Sequence, residues 1–194
     1  MESFSINERQ PAAALRIRRA PSAQEIAELV STASRELETL DVRDVVSIIA
    51  NTGIRSGELC SLRWEDINFE ERYITIRAGR GLHLRRVPFG SKVLEILMAR
   101  REREPVSEFV FGKSPRLVIE RVSRQCRSLS ARICTSLVTL HALRLAFYKR
   151  WVESGGSAQA LGLISGRTYT PKTRWQNPKR DFEIAAQYQA NIEL

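Results

Sequence analysis

One break in pattern constrains this chain more than any other feature. Along most of its length apolar residues recur at helical spacing, but Tyr73-Ile74-Thr75-Ile76-Arg77 and Leu84-Arg85-Arg86-Val87-Pro88 alternate with the two-residue period of a strand. Gly79-Arg80-Gly81 lies between them and supplies a turn, so the two runs predict a β-hairpin. Around it the signals are helical. Ser22-Ala23-Gln24-Glu25 has the form of a capping box, with Ile26, Leu29, Val30 and Ala33 behind it. A second helix is expected from about Asp41, burying Val42, Val45, Val46 and Ile49 and stopping at Gly53. Ser56 is expected to cap a short third helix through Leu59 and Leu62, which leaves Arg55 in a tight turn between helices.

Helical spacing resumes near Ser91 with Val93, Ile96 and Leu97, and again over Arg116 to Leu129. The strongest helix runs from Thr139 to Glu153, with Leu143, Ala146, Phe147 and Trp151 on its buried side and Gly155-Gly156 as its end. A shorter helix is expected from Ser157 to Ser165, then a polar loop through Pro178, then a last helix ending at Leu194. The predicted fold class is therefore mixed: mainly α-helical, with a small antiparallel β-hairpin sheet. A chain of 194 residues with 43% apolar content can bury one good core and is short for two. Without a linker, repeat or low-complexity tract, the expected organisation is an extended basic arm over residues 1–20 and one domain over residues 21–194.

Charge narrows the class of partner. The chain carries a formal net charge of +9, and 26 of its 31 basic residues are arginine. A guanidinium presents a planar fork of donors that matches a phosphate, so the surplus points to a polyanion. The three cysteines, Cys60, Cys126 and Cys134, are odd in number and share no metal-like spacing; with only His83 and His141 as imidazoles, no zinc site is expected. Reduced thiols, no apolar run long enough to span a bilayer and no secretory pattern make a cytoplasmic protein the expectation, with no membrane partner.

Taken singly, the residues that carry chemistry have ordinary explanations. Arg55 between two helices reads as a capping or salt-bridging arginine, and Glu58 as its partner one turn on. His141 and Arg144 share a helix face, as many solvated pairs do, and Arg80 sits in an exposed turn. Their order along the chain is what carries information. Thr52-Gly53-Ile54-Arg55-Ser56-Gly57-Glu58-Leu59 is followed by Leu62-Arg63-Trp64-Glu65-Asp66-Ile67, then by Ile76-Arg77-Ala78-Gly79-Arg80 and Arg86-Val87-Pro88, then by His141-Ala142-Leu143-Arg144 with Phe147 and by Glu153-Ser154-Gly155. This succession resembles the catalytic domain of the tyrosine recombinase (phage integrase) family. The likeness covers about residues 20 to 190 and is most specific in the first box, which spans sixteen consecutive positions.

The resemblance implies a function. In that family two arginines clamp the non-bridging oxygens of a DNA phosphate as negative charge gathers there, and here these would be Arg55 and Arg144. His141 would hydrogen-bond the same phosphate or handle a proton, and Glu58 would orient Arg55 from behind. No metal or other cofactor is implied. A tyrosine then attacks to give a 3′-phosphotyrosyl bond, while a hairpin lysine protonates the departing oxygen.

Three positions depart from the family pattern. Arg80 stands where the lysine is expected, and a guanidinium holds its proton too tightly to be a good acid. The third box falls on Ser165-Gly166-Arg167, so Arg167 replaces the usual ring. Lys172-Thr173-Arg174-Trp175 best matches the terminal motif, which puts Trp175 at the nucleophile's place, and an indole forms no phosphate ester. Tyr169, or Tyr188 in the last helix, is the alternative hydroxyl, though each also reads as a packing or surface aromatic.

The family's usual N-terminal core-binding domain has no counterpart in residues 1–20, so DNA affinity is expected to be weaker and more salt-sensitive than for the full clamp. The preferred reading is a double-stranded DNA-binding member of this family with impaired strand cleavage. The DNA-contacting residues would be Arg55, Arg80, Arg144 and Arg167. The alternatives are an active recombinase working through Tyr169 or Tyr188, and a non-enzymatic partner or scaffold. The segment Asp181 to Leu194 is expected to reach a second copy or a recombinase subunit. RNA is disfavoured, because no aromatic motif of a single-strand reader is present.

Overall fold

A computed structural model describes residues 20–35, 40–77, 84–104, 106–133 and 137–166, together with Ile184 and Tyr188. The Ser22 capping box forms as expected: the Ser22 hydroxyl accepts from the Glu25 amide at 3.1 Å, and the Glu25 carboxylate accepts from the Ser22 amide at 2.8 Å. Helix α1 then runs Ala23–Ala33 with Ile26, Leu29 and Ala33 buried. Helix α2, Leu40–Thr52, is the centre of the molecule. Val42, Val45, Val46, Ile48 and Ile49 are fully buried, more than one face can supply, because α2 packs against several helices at once.

Those neighbours are α1, α4 (Ser91–Arg103), α5 (Pro115–Ile133) and α6 (Leu140–Glu153). The last turn of α2 ends at Gly53, whose amide donates to the Ile49 carbonyl at 2.9 Å and whose φ of +63° lies in the left-handed region. The chain then turns directly into α3, Ser56–Cys60. One detail differs from expectation: Ser56 is the first helical residue, and the capping position belongs to Arg55. The reason is local. The Glu58 carboxylate reaches back to accept from the Arg55 amide at 3.0 Å, so the cap is made by Glu58 and no serine hydroxyl is needed.

A single 3₁₀ turn, Trp64–Asp66, leads into the sheet. Strands β2 (Tyr73–Arg77) and β3 (Leu84–Pro88) pair antiparallel over the predicted residues, with Ile74 opposite Val87 and Ile76 opposite Arg85. A third strand, β1 (Ile67–Asn68), adds to the outer edge of β2, so the sheet is one strand wider than a hairpin. Two residues are too few to show a period, which is why this strand leaves no sequence signal. The register places Arg85 on the same face as Val87, and both are buried. Helix α6 begins after Thr139, whose hydroxyl accepts from the Ala142 amide at 3.1 Å, and it buries Leu143, Ala146, Phe147 and Trp151 as expected. Helix α7, Ala158–Ser165, packs on both α6 and β3. Arg80 and His83 of the expected hairpin turn, all but the last residue of the arm expected over residues 1–20, Cys134 and the loop expected through Pro178 lie outside the described residues. Among the described residues no helix is long and apolar enough to cross a membrane.

Candidate functional site

Three arginines from distant parts of the chain meet at the C-terminal end of α7. Arg55 stands in the turn between α2 and α3, Arg85 on β3 and Arg144 in the first turns of α6. Each donates to one of three consecutive backbone carbonyls. Arg85 Nε reaches the Ile164 oxygen at 2.8 Å, and an Arg144 terminal nitrogen the Ser165 oxygen at 2.8 Å. Arg55 reaches the Gly166 oxygen at 3.5 Å, the longest and weakest of the three. A helix ends with unsatisfied carbonyls and the negative pole of its dipole, so this is where guanidinium groups gain both hydrogen bonds and charge compensation. Gly166 completes the arrangement. Its φ is +66°, and a Cβ there would lie 3.2 Å from an Arg55 nitrogen and 3.3 Å from an Arg85 nitrogen.

Glu58 is the counter-charge. One carboxylate oxygen accepts from Arg55 and from Arg85, each at 2.8 Å, and the other accepts from Arg85 at 2.5 Å and from the Arg55 amide. Burial pushes the Glu58 carboxyl up. The hydrogen bond and charge of Arg85, followed by the hydrogen bonds from Arg55, more than offset this and hold it below the usual carboxylate range. Arg144 has no such acid among the described residues. Burial is the largest cause pulling its pKa below arginine's ordinary value; Tyr148 and Glu58 oppose this, while Arg55 and Arg85 add like-charge pressure. Its guanidinium lies 5.1 Å from the centre of the Tyr148 ring, which faces its cation. The second terminal nitrogen, Nη1, is buried and has no hydrogen-bond partner among the described residues. A buried charged donor without an acceptor is costly, and an anion placed there would satisfy it.

The sequence-derived residues therefore divide. Arg55, Glu58 and Arg144 come together, although Arg55 and Arg144 are 89 positions apart. His141 sits one turn before Arg144 on α6, exposed, and its side chain makes no hydrogen bond or ion pair among the described residues. Arg80, Arg167, Tyr169 and Trp175 lie outside the described residues. Tyr188 does not approach the cluster by its hydroxyl. It is 2% exposed, and that hydroxyl donates to the Asn51 backbone carbonyl at 2.5 Å. Ile184 and Tyr188 join the same buried cluster as α2 and α6, so these two positions of the C-terminal segment pack within their own chain. The sequence alone does not mark Arg85 as a site residue. The available signal was its place two residues before Val87 in an alternating strand, which puts a charge on the buried face. Among the described residues no group of His, Cys, Asp and Glu is arranged to hold a metal ion.

The likeness to known proteins agrees with this architecture. The model of the phage integrase family matches residues 21–174. Tyrosine recombinase XerA of Pyrococcus furiosus is 33% identical over 140 residues, which are 69% of this chain and 49% of that protein. Among solved structures, the lambda integrase catalytic core superposes with a TM-score of 0.60 at 20% identity, over 81% of this chain and 96% of that one. The Tn1549 transposon integrase in complex with transposon right-end DNA gives a TM-score of 0.66 at 18% identity, over 93% of this chain and 68% of that one. The chain spans about half the length of the curated relatives it matches. With the fold, the ordered boxes and the family match in agreement, the chain belongs to the phage integrase family, the tyrosine recombinases.

Proposed function

We propose that the chain binds double-stranded DNA by holding one backbone phosphate between Arg55 and Arg144, with His141 at the rim, and that its strand cleavage is impaired. The observation that carries the reading is the convergence of Arg55 and Arg144 on adjacent carbonyls, with Arg144 Nη1 buried and lacking an acceptor among the described residues. A phosphate oxygen is an acceptor that a pair of converging guanidiniums matches well. The net charge of +9 supplies the long-range attraction, and the structurally similar Tn1549 integrase is described in complex with DNA.

The cleavage part of the reading rests on residue chemistry. Trp175 provides no hydroxyl for attack, Arg80 is a poor acid for the leaving oxygen, and the Tyr188 hydroxyl is engaged inside the core. Arg55, Arg144 and Arg167 would still stabilise charge on a phosphate, but stabilisation without a nucleophile leaves the bond intact. Tyr169 is the remaining hydroxyl through which an active recombinase would work.

Fluorescence anisotropy with a labelled duplex tests the clamp. Wild type is expected to bind with little sequence preference and with an affinity that falls steeply as salt rises. Arg144→Ala is expected to weaken binding by about 1–3 kcal/mol, the loss of a charge-assisted contact. Salt-independent binding, or an Arg144→Ala variant that binds like wild type, would refute it.

A further inference from the structure

Arg85 makes two contacts from the buried face of β3. It grips both oxygens of Glu58, and through Nε it is tied to the Ile164 carbonyl. Glu58 is also the acid that holds Arg55 by its side chain and by its amide. One carboxylate thus serves two guanidiniums, and Arg85 is the more deeply buried of the two: its side chain is 10% exposed against 45% for Arg55. If Glu58 faced Arg55 alone, the pair would be neutral, and Arg55 would offer a phosphate geometry without net charge. With Arg85 present, the three arginines and one acid carry a formal +2.

We propose that Arg85 is a positioning residue that neutralises Glu58, so that Arg55 is both fixed by a carboxylate and left with its positive charge for the anion. The inference rests on the phosphate-clamp reading and assigns a role to a residue outside the clamp itself. Arg85 does not touch the phosphate; it acts through Glu58. The role is electrostatic, so it depends on the charge at position 85 more than on the shape of the side chain. Lysine would largely preserve it, whereas glutamine would not. Removing the acid together with the base would also return the cluster to +2, with Arg55 and Arg144 as the remaining charges.

The test is duplex DNA affinity measured at fixed low salt for the full chain and for Arg85→Lys, Arg85→Gln, Arg85→Gln/Glu58→Gln and Arg144→Ala, with circular dichroism to follow folding. Arg85→Gln is expected to weaken binding by about tenfold, the scale of one unit charge in a partly screened cluster. Arg85→Lys is expected to stay within about threefold of wild type, and the double variant to recover most of what Arg85→Gln loses. Equal losses in the lysine and glutamine variants, or a double variant no better than Arg85→Gln, would overturn the proposal. If Arg85→Gln does not fold, the comparison is with wild type: the lysine and double variants, each at a formal +2, are expected within about threefold of it, and a loss of about tenfold in both would overturn the proposal. Normal binding by Arg85→Gln together with weak binding by Arg144→Ala removes the role of Arg85 alone. Normal binding by Arg144→Ala removes the clamp and this inference with it.

Discussion

Replacing Gly53 with alanine should damage the fold and the site together. Gly53 lies two residues before Arg55, and Phe147 three residues after Arg144, so the two halves of the cluster meet at this contact. The backbone at Gly53 has φ +63°, where an alanine costs about 1–2 kcal/mol. Its Cβ would also fall 2.4 Å from Phe147 Cδ1 and 2.8 Å from Cε1. Phe147 cannot step aside easily, being fully buried with Tyr148 at 6.0 Å on an edge contact and Trp151 at 6.1 Å. Forcing a methyl into such packing costs about 1–3 kcal/mol more. The expected loss is therefore roughly 2–5 kcal/mol, a large share of a typical domain's stability. Urea denaturation followed by tryptophan fluorescence would show a lower midpoint with an unchanged slope. Adding Phe147→Leu to Gly53→Ala should return part of the loss, because the smaller side chain relieves the clash. A single Gly53→Ala variant within about 0.5 kcal/mol of wild type would refute the reasoning, because it would mean the turn and α6 separate at no cost.

Two further outcomes follow from the site. The Glu58 carboxyl is held below its ordinary value of 4.5, so its contribution to stability is present above that pH and is lost as pH falls through the folded value. Wild type should then lose more stability than Glu58→Gln in acid titrations below pH 4.5, and parallel curves would contradict this. The second outcome concerns chemistry. Incubation with a nicked suicide duplex and denaturing electrophoresis should show no covalent adduct for wild type, whereas Trp175→Tyr with Arg80→Lys should restore one if the clamp is intact. A wild-type adduct lost in Tyr169→Phe would overturn the impaired reading and name the nucleophile.

Much of this arrangement is legible in the residues themselves. The strands Tyr73–Arg77 and Leu84–Pro88 match because alternation and a glycine-bearing turn are strong local signals. Ser22, Gly53 and Thr139 mark helix ends by chemistry that acts within a few residues, and the structure uses each of them. What could not be read depends on tertiary contact. That Arg55 and Arg144 come together depends on Ser165 and Gly166, more than a hundred positions away from Arg55. Arg85 looks like any strand arginine until the register turns it inward with Val87 toward Glu58. The capping of α3 by Glu58 instead of Ser56 has the same origin, since a carboxylate already needed by two arginines is on hand to take the amide as well.

The most direct measurement of the central claim is a crystal structure of the chain bound to a nicked DNA duplex. One backbone phosphate is expected in the cluster, with a non-bridging oxygen within hydrogen-bonding reach of Arg144 Nη1 and another facing the Arg55 guanidinium. Such a contact would give the buried donor its acceptor. A duplex lying across another face, with no phosphate near Arg55 or Arg144, would contradict the account.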